Sequence, residues 1–281
     1  MKVRIAHRTV YRYRDPPRHL VQTLRLTPFD APGQRVLDWN VRTGTELWRE
    51  IDAWGNVCHG HTVDRPGRVV AIHAGGEVET QAQADRVDHA GVEPGLYLRP
   101  SLLATADAAI AALARAPEAA DGWGRAGQPV GAAFLLGLAE RVCGALPYRS
   151  GVTHAATTAS QALQMGAGVC QDHAHVFIAA CRSLGLAARY VSGYFLSDLA
   201  EPVDQSGAAV QVHASHAWVE VCVAPTERRW LTVDVTHACL TDERHVRLAH
   251  GPDYSACLPV RGVRVGGDGE TLEVEIHISR V

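Results

Sequence analysis

The chain reads as an α+β protein, with an N-terminal antiparallel β-sandwich followed by a helix packed on a second antiparallel sheet. Three observations predict this. Residues 1 to about 82 fall into short runs with period-two alternation, divided by turn residues. Ala-rich helical stretches begin only after residue 100. One later stretch, Ala174, Phe177, Ile178, Cys181 and Leu184, recurs at helical spacing and precedes three strand-like runs.

Val3, Ile5, His7, Thr9, Tyr11 and Tyr13 form one face of the first strand, which Pro16-Pro17 ends. Further strands are predicted at 21–26, 36–41, 47–52 and 69–73, with turns at Pro32-Gly33, Gly55-Asn56 and Gly75-Gly76. Short strands at this spacing indicate a sandwich over residues 1–82. Residues 83–100 are polar, contain Gly and Pro, and read as a linker. The remainder, 101–281, reads as the second unit. Its first helix spans 101–115 with Ser101 as N-cap. Residues 116–128 read as a surface loop, 130–143 as a helix and 159–165 as a short helix entering a Gly turn. A helix over 170–184 follows, closed by Gly185. Strands are predicted at 188–196, 216–223 and 230–235. The loop 197–215 between the first two is long enough for the rim of a cleft. Residues 272–278 alternate as a last strand.

Composition excludes several classes. Net charge is −3 and no long basic run occurs, so nucleic acid is not an expected partner. No apolar run approaches the ~20 residues of a membrane helix. The first residues, Met1 to Arg8, lack a signal-peptide apolar core, so the expected location is the cytoplasm. The seven cysteines are odd in number and irregularly spaced, and no C-x-x-C occurs. Free thiols are expected in place of a disulfide framework or a redox pair.

Chemistry concentrates at Gly166-Ala167-Gly168-Val169-Cys170, where a Gly turn enters a helix. A thiol in a first helical turn meets the positive end of the dipole and unpaired N–H groups, which favour the thiolate nucleophile. Taken alone, a cysteine is more often inert packing. Downstream, Ser215-His216-Ala217-Trp218-Val219-Glu220-Val221 and Trp230-Leu231-Thr232-Val233-Asp234-Val235 offer a base and an orienting acid. A hairpin with a loop of about three residues around Pro225 would set His216 opposite Asp234. A one-residue slip would send Asp234 to the wrong face. The backbone N–H of Cys170 is a natural oxyanion donor. Gln171 follows the nucleophile and is directed elsewhere by the helix. Asp172 reads as a first-turn acid. Trp218 shares a strand face with His216 and, with Tyr194, is a candidate for substrate contact. Core packing is the competing reading for both.

The blocks GVCQDHA, SHAWVEV and WLTVDVTHA resemble, in order, the three blocks of the transglutaminase-like superfamily, which shares papain-like Cys-His-Asp chemistry. YRYRDP, Asp52-Ala53-Trp54-Gly55-Asn56 and TDERHVRLAHGPDYSACLPVRG extend the resemblance to bacterial members with an N-terminal β-domain. One departure is that the family commonly reads D-P-T-N where this chain has Asp234-Val235-Thr236-His237. The resemblance implies a papain-like core, with Cys170 as nucleophile, His216 as base and Asp234 as orienter. It also implies acyl transfer on an amide or peptide bond through a thioester, without a cofactor. Hydrolysis by a cysteine peptidase or amidase is the leading expectation, with a protein or peptide substrate. Transfer to an amine, as by a transglutaminase, is the alternative.

Two other classes compete. Cys170, His173, His175, His213, His216 and His237 offer enough ligands for zinc. Against this, no H-E-x-x-H or C-x-x-C occurs, and His173 and His175 face different ways on a helix. A non-catalytic binding module is the other class, and the intact set of triad residue types argues against it.

Overall fold

Strand β1 (Lys2–Asp15) carries the N-terminal half. Its side chains alternate outward and inward from Lys2 to His7, with Val3, Ile5 and His7 buried. The computed structural model describes residues 1–89, 91–115, 130–197 and 215–281. After β1 come β2 (His19–Leu24), β3 (Gln34–Arg42), β4 (Trp48–Ile51), β5 (Val57–Asp64), β6 (Val69–Thr80) and β7 (Asp85–Val87). Four helices follow: α1 (Ala108–Arg115), α2 (Ala132–Ala145), α3 (Ala159–Met165) and α4 (Cys170–Ser183). The chain continues through β8 (Ala188–Phe195), β9 (Ser215–Ala224), β10 (Arg229–Asp234), β11 (Cys239–Leu240) and β12 (His245–Gly251). It ends with α5 (Tyr254–Cys257), β13 (Val260–Val265) and β14 (Asp268–Arg280).

Three antiparallel sheets result, in the orders β14-β1-β6-β3, β13-β2-β5-β4 and β11-β10-β9-β8-β12, with β7 also paired to β10. The first two sandwich Leu24, Leu26, Ile72 and Ala74 between them. The third is the central sheet. The largest core joins α1–α4 to its Tyr190, Val219, Val221 and Val233. The other contact runs from the sandwich to the central sheet. Val3, Ile5, Ile276 and Ile278 pack on Tyr194, Val246 and Leu248.

Several boundaries differ from the sequence reading, each because a distant partner decides the element. Residues 83–100 are not a plain linker. β7 pairs with β10, and Tyr97 is fully buried beside Trp230. The unit expected over 101–281 does not keep its end, since β13 pairs with β2 and β14 pairs along nearly all of β1. Helix α1 begins at Ala108, and its cap is Asp107, whose Oδ1 accepts from Ile110 N at 2.9 Å. Ser101 instead meets Arg182, Nη1 to Oγ, at 3.1 Å. β5 and β12 were not anticipated as strands. The loop expected at 116–128 and most of 197–215 lie outside the described residues.

The Asp52–Asn56 turn has a docking role. Asp52 Oδ1 accepts from the N–H groups of Trp54 and Asn56 at 2.9 and 3.0 Å, with Gly55 at φ 90°. Asn56 then pairs with the His250 backbone in both directions, at 2.8 Å each, fixing the sandwich to β12. Because β14 completes the first sheet, a chain ending at Pro259 should fail to fold normally. Differential scanning fluorimetry should show insoluble protein or a midpoint lowered by about 10 °C or more, from the lost burial of Ile276 and Ile278. An unchanged midpoint would contradict this role for the C-terminal strands.

Candidate active site

The helix carrying Cys170 is set by its preceding turn. α3 opens on a capping box between Thr158 and Gln161 and closes at Gly166, which is left-handed at φ 66°. Gly168 then passes so close to α4 that a Cβ would meet Asp172 Cβ at 2.7 Å. Asp172 has a structural task. Its Oδ2 accepts from Val169 N at 2.8 Å and from Thr153 Oγ1 at 2.7 Å, tying the entry turn to the helix start. Gln171 points away from the site, with Nε2 toward Ala155 O at 3.4 Å.

The strands supply the other two groups. Pro225–Arg228 form a four-residue connection, with Arg228 left-handed at φ 51°, and a bulge follows between Arg229 and Trp230. The pairing Val233↔Val219 leaves His216 on a diagonal from Asp234, not directly opposite as expected. The longer connection and the bulge shift the register by an even number, so both side chains keep one face. His216 Nε2 donates to Asp234 Oδ2 at 2.7 Å, and Cys170 lies near enough to act on the same ring. With Nε2 on the carboxylate, Nδ1 is the nitrogen left for the thiol. Burial pulls the His216 pKa down, but Asp234 and Cys170 outweigh it and raise it.

Two further histidines join this site. Asp234, fully buried, also accepts from His237 Nδ1 at 2.7 Å and His245 Nε2 at 3.1 Å, while its Oδ1 accepts from His237 N at 3.2 Å. Burial raises a carboxylate pKa, yet the donors from His216, His237 and His245 carry it far below the usual range. His245 in turn meets Asp242, Nδ1 to Oδ1, at 3.1 Å. Phe195 packs against all three imidazoles, with centroids 5.2, 4.9 and 4.7 Å from His216, His237 and His245. The departure from D-P-T-N thus supplies a clasp, because His237 grips Asp234 through both backbone and ring. Sequence reading places His237 among possible zinc ligands and at the departure from the family pattern, and gives His245 no role. The signal available was their place in the quoted blocks.

Trp218 and Tyr194 do not line an open cleft. Trp218 is 2% exposed and lies under the site, edge-on to His245 with centroids 5.3 Å apart. Gly193 makes room for it, since a Cβ there would meet Trp218 Cη2 at 2.4 Å. Tyr194 pairs with Ser215 while Gly193 pairs with His216, so Tyr194 points to the opposite face. There its hydroxyl meets His7 Nδ1 at 2.8 Å. The exposed aromatic beside Cys170 is Tyr148, 58% exposed. It is set there by the backbone bonds Arg149 N to Gly168 O, 2.8 Å, and Gly168 N to Pro147 O, 3.2 Å. Burial and then Cys170 raise its pKa.

Of the zinc set considered from sequence, His173 and His175 are engaged elsewhere. His173 contacts Thr236 Oγ1 and Leu146 O at 3.0 and 2.6 Å, and His175 Nε2 accepts from Tyr254 N at 3.1 Å. His213 lies outside the described residues. Among the described residues, His216, Asp234 and His245 bring ligand atoms within 4.8 Å of one another. Both nitrogens converge on one carboxylate oxygen at hydrogen-bond length, an arrangement suited to a shared acceptor.

A helix-borne thiol, a strand-borne imidazole and a buried carboxylate thus come together from an α+β scaffold. Residues 125–235 match the core of the transglutaminase-like superfamily, and residues 3–79 match the bacterial transglutaminase-like N-terminal region. Over 100% of this chain and 91% of the other, the fold is similar to a solved structure from Cytophaga hutchinsonii. That protein is named for an inferred cysteine protease activity, and the TM-score is 0.75 at 19% identity. The chain is also 28% identical over 292 residues to an uncharacterized protein of Mycobacterium tuberculosis, covering 99% of this chain and 92% of that one. An uncharacterized protein of Mycobacterium leprae is 26% identical over 310 residues, covering 100% and 99%.

The titrations have opposite signs. His245 is raised, since its bonds to Asp234 and Asp242 outweigh burial, so its contribution is full below the unfolded value of about 6.5 and is lost as pH rises through the folded one. Asp234 is lowered, so its contribution is full above about 4 and is lost as pH falls. The melting-temperature gap between wild type and His245→Gln should therefore narrow from pH 6 to pH 9. The gap to Asp234→Asn should narrow as pH falls below about 4. Gaps that do not vary with pH would contradict both assignments.

Proposed function

We propose that the protein transfers acyl groups from amide or peptide bonds through a thioester on Cys170, with water as the usual acceptor. The observation that carries this is the His216–Asp234 pair at 2.7 Å, with Cys170 at the start of α4 close enough to raise the His216 pKa. The Cys170 thiolate attacks the substrate carbonyl carbon, and the oxyanion forms beside the first-turn N–H groups of α4. As the C–N bond breaks, protonated His216 gives its proton to the leaving amine, and the thioester remains. His216 then takes a proton from water, hydroxide adds to the thioester carbon, and the acid departs as Cys170 is released. Asp234 is an acceptor throughout and stabilises the imidazolium. The raised pKa of His216 fits the first half of this cycle, which uses the protonated ring. Tyr148, exposed beside the thiol, is the side chain best set to contact an extended substrate.

Cys170→Ala and His216→Ala should each reduce turnover by about 10⁴-fold or more, with Asp234→Asn less severe and the double variant no worse than the worst single one. Full activity in His216→Ala would overturn the assignment of the base. A glutamine peptide incubated with and without a primary amine separates the acceptors. Free acid and ammonia are expected as the main products. An amine adduct dominating at millimolar amine would make the protein a transglutaminase proper.

A further inference from the structure

Behind the site, where the sandwich meets the central sheet, lies a cavity of about 20 Å³. That is room for one water-sized species. Its walls include Gln34, Arg86, Trp218, Asp242, His245 and Arg247. The adjoining charges form one buried network. Glu220 Oε2 meets Arg189 Nε at 2.6 Å and Arg247 Nη2 at 3.2 Å, and Glu220 Oε1 pairs with Arg86 Nη1 at 3.4 Å. Asp88 Oδ2 accepts from Arg189 Nη2 at 2.8 Å.

Among the described residues, three guanidinium groups, Arg86, Arg189 and Arg247, thus face two carboxylates, Asp88 and Glu220, an excess of one positive charge. The other groups nearby do not offset it. Asp242 is engaged by Arg244 at 2.6 Å and by His245 at 3.1 Å. His250 is kept neutral, because burial, Arg247 and Arg189 all lower its pKa. Gln34 is engaged too, accepting from Arg247 N at 2.7 Å and donating to Arg247 O at 3.0 Å. The Nε–H groups of Arg86 and Arg247 are both buried with no acceptor among the described residues, and the Arg247 side chain is only 6% exposed.

A buried charge is costly unless paired, and a buried N–H is costly unless it finds an acceptor. Water would satisfy the N–H groups and leave the charge. A small anion answers both demands at once. We propose that the cavity between Arg86 and Arg247 is a binding site for a single small monovalent inorganic anion of halide size. Such an anion would lie against His245 and Trp218 and would lock the sandwich onto the central sheet. This site does not depend on the acyl-transfer reading.

The test uses the full chain, with chloride replaced stepwise by gluconate, too large for the cavity, at constant ionic strength. The melting midpoint should rise with the logarithm of chloride concentration, by about 5 °C over a hundredfold range above the dissociation constant. Arg86→Gln, at the less buried wall of the cavity, should fold and lose that dependence. A bromide-soaked crystal should show an anomalous peak between the two Nε atoms. A chloride-independent midpoint, a dependence kept in Arg86→Gln, or water with no bromide at that position would each overturn the proposal.

Discussion

Asp234 has no exposed surface, so its charge must be met by donors from the protein itself. Three imidazoles and one backbone N–H meet it, coming from β9, the turn after β10, and β12. That requirement sets much of the local architecture. β9 and β10 must pair in a register that keeps His216 and Asp234 on one face. The chain must turn at once after Asp234 so that His237 can reach back. β12 must lie at the other side of β8 with His245 inward. The side of the cluster is closed by Phe195 and its floor by Trp218, which fits only because position 193 has no side chain.

The same cluster explains why the thiol and the base can be separated by so much sequence. Cys170 is positioned by a local device, the Gly166–Gly168 turn and the Asp172 clasp on Val169. His216 is positioned by a sheet whose far edge is bonded to the sandwich. Asn56 holds the His250 backbone, Gln34 holds the Arg247 backbone, and Thr80 Oγ1 donates to Glu243 O at 2.5 Å. The N-terminal half therefore acts on the site through β12 and His245. Among the described residues, none of the sandwich is found at the thiol.

The legible parts of this fold are those with local causes. β1 could be read from Val3, Ile5 and His7 because one strand facing one core alternates regardless of its partners. Helix α4 could be read from its apolar spacing and the glycines before it. The three residues Cys170, His216 and Asp234 could be picked out by type and order, and His216 and Asp234 meet at 2.7 Å. What was not legible depends on pairing across the chain. Nothing within Val260–Val265 or Asp268–Arg280 says that they finish sheets begun at β2 and β1. The diagonal between His216 and Asp234 needs the bulge at Arg229, which leaves no mark in the sequence. Trp218 and Tyr194 looked suited to a cleft because strand parity was known while the cover over each face was not. His237 looked like a departure from the family pattern until its ring was seen on the carboxylate.

The account stands on Cys170 being the thiol that this machinery serves. All seven cysteines are free. Cys58, Cys181, Cys222 and Cys257 are buried, while Cys143, Cys170 and Cys239 are partly exposed; burial and then Asp234 raise the pKa values of Cys143 and Cys239. Limited iodoacetamide labelling followed by peptide mass spectrometry reads their relative rates directly. Cys170 should carry the first label, and His216→Ala should slow its labelling while leaving Cys143 and Cys239 unchanged. First labelling at Cys143 or Cys239, or a Cys170 rate indifferent to His216, would contradict the account.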